Sequence, residues 1–206
     1  MPTDVFKAMN YAALQHAGQR YNDEAPYTVH LEHVVGVARR FDLHDPEFIC
    51  ACWLHDIIED TRTSFSDLSS KFTPGVAELV FAVTDERGRD RDERHRKTYP
   101  KIRQAGYRAI SLKLADRIAN VEYGLADPNG KSLMYAREFP EFVKELYAPA
   151  HETGPEGNMW RYLARLLDSK ALREHHEHCV KVQEAEIELR SLQLGVGVAH
   201  KNEGHG

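Results

Sequence analysis

Cysteine is scarce in this chain of 206 residues, which holds only Cys50, Cys52 and Cys179. That number cannot build a disulfide framework. Cys50 and Cys52, two apart on a helical stretch, point to different sides, so buried reduced thiols are expected. No apolar run reaches the roughly 20 residues of a membrane-spanning helix. The opening residues Met1 to Lys7 also lack the basic-then-apolar pattern of a secretion signal. A cytoplasmic protein without membrane contact is the expectation. Positive charge is not in excess either: the formal net charge of −5 gives no global basic footprint for nucleic acid. Strand-like alternation is nearly absent and no internal repeat is visible. What remains is helical periodicity. The 42% of hydrophobic residues suffices for one sizeable core and is short for two full domains.

The fold class is therefore all-α. Helices are expected near 3–18, 31–42, 46–60, 65–72, 74–84, 91–104, 107–124, 132–147 and 157–191. Asp45-Pro46 and Thr73-Pro74-Gly75 mark helix starts, where proline suits the first turn and an oxygen-bearing side chain caps free N–H groups. Ser64-Phe65 begins another helix in the same way. Asp127-Pro128-Asn129-Gly130 is a turn, and Glu152 to Gly157 a loop or hinge. The organisation expected is a helical domain over 1–150, a C-terminal helical extension over 151–194 and a flexible tail over 195–206 without a periodic apolar face. The extension carries Trp160, Leu163, Leu166, Leu167, Leu172 and further apolar residues to Leu194, more than a solvated helix needs. It either packs back on the domain or pairs two copies as a homo-oligomer.

Chemistry concentrates at His55-Asp56-Ile57-Ile58-Glu59-Asp60. Ala51 to Leu54 and Ile57-Ile58 are apolar, so the segment reads as a largely buried helix. Charge enters such a helix when it is paired, hydrogen-bonded or bound to a metal. At about 3.6 residues per turn, His55 shares a face with Glu59, and Asp56 with Asp60. Pro26-Tyr27-Thr28-Val29-His30 places another imidazole at the head of an apolar-periodic run. The helix from Ile110 to Val121 sets Asp116 and Asn120 one turn apart on a single face. A divalent cation is the simplest partner for such a set. Imidazole with carboxylate suits Mn²⁺ and also admits Fe, Co, Ni or Zn.

The order His30, His55-Asp56, Asp116 resembles the HD-domain metal-dependent phosphohydrolases. The longer strings, Pro26 to His30, His55 to Thr61, Val83-Thr84-Asp85 and Lys113 to Asn120, are similar to the hydrolase domain of the RelA/SpoT group and its small stand-alone members. The resemblance spans roughly residues 5 to 147. It implies an HD-domain helical bundle in which His30, His55, Asp56 and Asp116 hold one metal, while Glu59 and Asp60 position and deprotonate the attacking water. It further implies a nucleotide substrate, with removal of the 3′-pyrophosphate of guanosine tetra- or pentaphosphate. Asn120 would lie near sugar and phosphate, and Lys113 and Arg117 would meet phosphate oxygens. Arg94 or Lys97 would reach over the pocket toward a pyrophosphate. The stretch His16 to Tyr21 resembles the family's guanine-facing segment, where an Arg-Lys pair is usual. Here Arg20 is followed by Tyr21, which offers two stacking groups and one cation fewer. Tyr135, Arg137, Glu138 and Phe139 offer a second wall for the pocket, although an aromatic pair at that spacing is more often core.

No second nucleotide-binding or synthetase domain is recognisable, so degradation rather than synthesis is expected. Two other readings stay open: a nucleotidase or NADPH 2′-phosphatase with the same metal chemistry, and a non-catalytic nucleotide-sensing domain. His175-His176-Glu177-His178 is not read as a second metal site, because consecutive helical residues fan out by about 100° each.

Overall fold

The structure is a computed structural model that describes residues 3–21, 25–125, 131–149 and 152–167, with 181, 185 and 189 as isolated residues. The 195–206 tail, the histidine cluster at 175–178, Cys179, the 127–130 turn and most of the distal extension lie outside the described residues. The chain runs α1 (Val5–Gln15), β1 (Arg20–Tyr21), β2 (Ala25–Pro26), α2 (Thr28–Arg40), α3 (Pro46–Leu54), α4 (Ile57–Asp60), α5 (Phe65–Lys71), α6 (Pro74–Val83), α7 (Arg91–Ala105), α8 (Tyr107–Leu125), α9 (Lys131–Leu146) and α10 (Pro155–Leu166). The strands form one short antiparallel pair, with Arg20 opposite Pro26 and Tyr21 opposite Ala25. This pair departs from the purely helical expectation. It is too short for periodicity to reveal, and it leads directly into α2.

The helix starts follow their capping chemistry. Asp45 accepts from the Phe48 N–H at 3.2 Å with Pro46 beside it, and Thr73 accepts from the Val76 N–H at 3.4 Å ahead of Pro74. Ser64 and Asp67 form a reciprocal capping box. Gly106, at φ +87, closes α7 and lets α8 begin at once, a conformation that favours glycine.

Two helices organise the core. Every residue of α3 from Phe48 to Leu54 is buried, which accounts for its lack of a polar face, and α3 packs against α1, α2, α6 and α8. The longer α8 packs against α2, α3, α6, α7, α9 and α10. Its Leu112, Leu114, Ala115, Ile118, Ala119 and Val121 are fully buried. The thiols of Cys50 and Cys52 are free and buried in the same core.

At the carboxyl end, α10 lies on α8, with the Trp160 ring against Phe142 and Tyr147 at 5.2 and 5.6 Å between centroids. Tyr162 donates to Glu122 Oε1 at 2.5 Å, and Glu122 also meets His33 and Arg40 of α2. Helix α10 is thus seated on α8.

The expected single helix over 46–60 is interrupted. α3 ends at Leu54, and His55 and Asp56 form a turn before α4 resumes at Ile57. Asp56 takes φ −96 and ψ −1, outside regular helix geometry. Among the described residues no helix is long and apolar enough to cross a membrane.

Candidate active site

The interruption after Leu54 shapes the centre. In an unbroken helix His55 and Asp56 would diverge by about 100°. With the turn, both face His30 on the first turn of α2. The His55 Nε2 lies 3.0 Å from Asp56 Oδ2 and 3.3 Å from His30 Nε2. The His30 Nε2 lies 3.5 Å from the same Asp56 oxygen. From α8, Asp116 Oδ1 completes the group at 3.4 Å from His30 Nε2 and 3.7 Å from His55 Nε2. Both imidazoles are almost wholly buried.

The donor set fits a divalent cation. Metal–ligand bonds of roughly 2.1 Å place adjacent ligands about 3 Å apart, which is the spacing His30, His55 and Asp56 already have. The Nδ1–H of His55 donates to the Cys52 carbonyl at 2.9 Å, which turns the Nε2 lone pair toward the centre. Two buried imidazole nitrogens 3.3 Å apart between two carboxylates require positive charge among them. The titration of the groups follows the same logic. Burial alone would lower the His30 and His55 pKa values, and the facing Asp116 and Asp56 outweigh it and raise both. Burial alone would raise Asp56 and Asp116; for Asp56 the charge of His55 and the bonds from both imidazoles overcome it, and for Asp116 the charge of Lys113 and those same imidazoles.

Outside the donors, Tyr27 donates to Asp56 Oδ2 at 2.5 Å, and Asn120 Nδ2 donates to Asp116 Oδ1 at 2.5 Å. The string Pro26 to His30 contains Tyr27, yet nothing in spacing alone assigns it the task of holding Asp56.

Glu59 opens onto the same cleft, one turn past Asp56. Its Oε1 accepts from the Asp85 N–H at 2.6 Å. The carboxyl is exposed on one side and crowded on the other. That crowding pushes its pKa up to about 7 against the pull of Lys113, with Asp56 and Asp85 adding to the rise. Asp60 accepts from Gln19 Nε2 at 2.8 Å and is not among the residues lining the cleft. The two adjacent carboxylates therefore part company, and Glu59 alone faces the donors.

The cleft is lined by Tyr27, His30, Asp56, Glu59, Asp85, Arg91, Arg94, His95, Lys113, Asp116, Arg117, Asn120 and Tyr135. Lys113 stands 3.4 Å from Asp116 Oδ2 and 3.8 Å from Asp85 Oδ1, and these acids hold its pKa above the ordinary lysine value even though burial opposes it. Arg94 lines the cleft without a side-chain partner among the described residues.

Other expected substrate contacts are placed differently. Lys97 points outward, where Glu93 Oε1 at 2.8 Å and the Arg87 carbonyl at 3.0 Å hold its Nζ. Arg117 is only 3% exposed and pairs with Glu138 at 2.8 Å, so its charge is spent inside the wall. Arg20 lies on the exposed side of β1, away from the cleft lining. Tyr21 turns inward instead of presenting a free ring: its face stacks on His30 and its hydroxyl donates to Asn120 Oδ1 at 2.9 Å. Phe139 is core as expected, whereas Tyr135 lines the cleft under the Arg117 guanidinium. Arg91 and His95 also belong to this wall, and Glu138 pairs with its Arg91 and Arg117. Within the alternating charges of 87–97, sequence alone offered no signal for which cations turn inward.

A helical bundle that brings a histidine, a His-Asp pair and an aspartate from separate helices to one point, under a carboxylate and cations, is built as an HD-type metal-dependent phosphohydrolase. Residues 8–151 match the family model described as HD domain, and the chain belongs to that family. It is 33% identical over 147 residues to the guanosine-3′,5′-bis(diphosphate) 3′-pyrophosphohydrolase MESH1 of Danio rerio, covering 69% of this chain and 81% of that protein. It is 34% identical over 223 residues to the bifunctional (p)ppGpp synthase/hydrolase SpoT of Escherichia coli K12, covering 95% of this chain and 31% of SpoT. The solved structure of a metazoan ortholog of SpoT that hydrolyses ppGpp superimposes with a TM-score of 0.69 at 26% identity, covering 84% of this chain and 98% of that one.

Proposed function

We propose that this chain hydrolyses guanosine tetra- or pentaphosphate at the 3′ position, releasing pyrophosphate and leaving GDP or GTP. The observation that carries the reading is the convergence of His30, His55, Asp56 and Asp116 on one point in the cleft that Glu59 and Lys113 also face. Those four residues would hold one divalent cation, with Mn²⁺ the metal best matched to mixed imidazole and carboxylate donors. When bound, the cation supplies Lewis-acid charge that acidifies water and offsets charge building on phosphoryl oxygens.

The residues account for the rest. Water adds to phosphorus, the bond from phosphorus to the 3′ oxygen breaks, and the 3′ oxygen leaves as a hydroxyl. A carboxyl with a pKa near neutrality, as at Glu59, is suited to take the water's proton, because a general base works best near the ambient pH. Asp60 supports this from outside the cleft by tying α4 to Gln19. Lys113 and Arg94 would meet phosphate oxygens, and Asn120 would face the sugar from the cleft floor. Arg117 contributes to the wall that shapes the phosphate path, while Arg20 stays on the exposed side of β1. The free thiols of Cys50 and Cys52 suit the reducing cytoplasm.

The test is incubation of the metal-stripped protein with Mn²⁺ and, separately, guanosine tetraphosphate, NADPH and the nucleoside monophosphates, with pyrophosphate and phosphate measured independently. Pyrophosphate from the tetraphosphate alone, lost in Asp56→Ala, is the expected result. Phosphate from NADPH or a monophosphate would replace the substrate while keeping the centre. No turnover with any metal would favour a nucleotide-sensing role.

A further inference from the structure

We infer that Tyr21 is a positioning residue for the cation centre, acting through Asn120 on Asp116 and through ring contact on His30. The inference rests on reading His30, His55, Asp56 and Asp116 as the metal ligands.

The hydrogen-bond inventory of Asn120 leads to this. A primary amide has two N–H donors and one oxygen. Asn120 Nδ2 lies 2.5 Å from Asp116 Oδ1 and 3.1 Å from the Asp116 carbonyl, so both donors are spent on acceptors of a single residue. Two acceptors on that side leave the amide one orientation, with its oxygen facing away from Asp116. The Tyr21 hydroxyl donates to that oxygen at 2.9 Å. A phenol is protonated near neutral pH and so serves as the donor of this pair. A directed chain therefore runs from phenol to amide to carboxylate, ending on the Asp116 oxygen that faces both imidazoles.

The ring works on a second donor. Tyr21 stacks on His30 with centroids 5.0 Å apart and planes 25° from parallel. Its edge meets Tyr27 at 6.1 Å and 85°, and Tyr27 is the residue that holds Asp56. Tyr123 backs the ring at 4.5 Å. Only 9% of Tyr21 is exposed, so it offers no free face to a base. The pairing of β1 with β2 sets Tyr21 opposite Ala25, one residue ahead of the Pro26-Tyr27 entry into α2. Strand pairing and side-chain packing thus clamp the same segment that delivers His30.

The experiment uses the full chain, stripped of metal and titrated with Mn²⁺ by calorimetry, for the wild type, Tyr21→Phe, Asn120→Ala, the double variant and Asp116→Ala. Partners of metal ligands are typically worth about 10- to 100-fold in metal affinity. Tyr21→Phe keeps the ring and loses only the donor, so a loss of about 10-fold is expected, with KM for guanosine tetraphosphate unchanged at saturating Mn²⁺. Because the hydroxyl acts through the amide, the double variant should bind Mn²⁺ no more weakly than Asn120→Ala alone. Additive losses would overturn the relay. Unchanged affinity in Tyr21→Phe with a raised KM would overturn it too, and would make Tyr21 a substrate contact. If Tyr21→Phe does not fold, Asn120→Ala carries the decision, and wild-type Mn²⁺ affinity in that variant refutes the inference. A wild type that binds no Mn²⁺, or an Asp116→Ala variant that binds it equally well, removes the metal-site reading and this inference with it. A wild type that binds and a Tyr21→Phe that binds equally remove only the role of Tyr21.

Discussion

Replacing Glu138 by alanine separates two roles for Arg117, phosphate contact and wall support. The guanidinium is 3% exposed, its Nη1 lies 2.8 Å from Glu138 Oε2, and its centre sits 4.7 Å from both the Tyr135 and Phe142 rings. Glu138 also binds Arg91. Removing the carboxylate leaves a buried cation without its acid partner. Breaking a buried pair from one side costs about 3–5 kcal/mol. The retained ring contacts, each worth about 1 kcal/mol or more when desolvated, place the expectation near about 3 kcal/mol. In a chain of this size each kcal/mol moves Tm by about 2–4 °C, so calorimetry should record a fall of about 6–12 °C. Arg117→Met combined with Glu138→Leu removes both charges, keeps apolar volume and should recover most of the loss. The sign with pH is also fixed. Burial would raise the Glu138 carboxyl, but its bond with Arg91 and the charges of Arg117 and Arg91 outweigh this and lower it. A carboxyl depressed on folding stabilises above its unfolded pKa of about 4.3 and loses that contribution as pH falls through the folded value. The gap between wild type and Glu138→Ala should therefore narrow in acid. A Glu138→Ala protein with wild-type Tm and a raised KM for the nucleotide would refute the reasoning and return Arg117 to the phosphates.

Four further outcomes follow from the same geometry. Glu59→Gln should lower kcat by about 10²–10⁴ while Mn²⁺ affinity measured by calorimetry stays unchanged; the wild-type rate should rise with pH through the carboxyl's pKa of about 7, or below it once the cation is bound, and the variant should lack that limb. Tyr27→Phe loses the 2.5 Å bond to Asp56 and should weaken Mn²⁺ binding by about 10-fold in the same titration. Arg94→Ala should raise KM for guanosine tetraphosphate with kcat preserved, whereas Lys97→Ala, whose ammonium is held by Glu93 and the Arg87 carbonyl, should leave both constants in steady-state kinetics unchanged. Tyr162→Phe removes the bond to Glu122 that seats α10, and a loss of about 1 kcal/mol should appear as a Tm lower by about 2–4 °C.

The sequence carries the donors more clearly than their arrangement. His30, His55, Asp56 and Asp116 stand out because ionisable groups flanked by Leu54, Ile57, Leu114 and Ala115 have few stable environments, and the structure brings all four to one point. Caps at Asp45, Ser64 and Thr73 were legible for a similarly local reason, since one side chain and one N–H three residues away decide them. The turn at His55-Asp56 was not. Its neighbours all favour helix, and the break is stabilised by non-local partners: His30 from α2, Asp116 from α8 and Tyr27 ahead of α2. Periodicity reports which face of a helix is apolar, and it cannot register a distortion whose cause lies 25 residues upstream and others far downstream.

The same limit governs the cations. Arg91, Arg94 and Lys97 share one helix and similar propensities, yet Arg91 is tied to Glu138, Arg94 faces the cleft and Lys97 faces solvent. What separates Arg91 from Arg94 is the position of α9, whose Glu138 lies 47 residues after Arg91 in the chain. Glu138 on a distant helix neutralises Arg91, and Glu93 one turn back on the same helix holds Lys97, which leaves Arg94 with its charge available to a phosphate. Local strings therefore identify the chemistry of such a site well, because metal donors must be rare residues in apolar surroundings. They identify its substrate contacts poorly, because a cation's availability depends on what the rest of the fold has already neutralised.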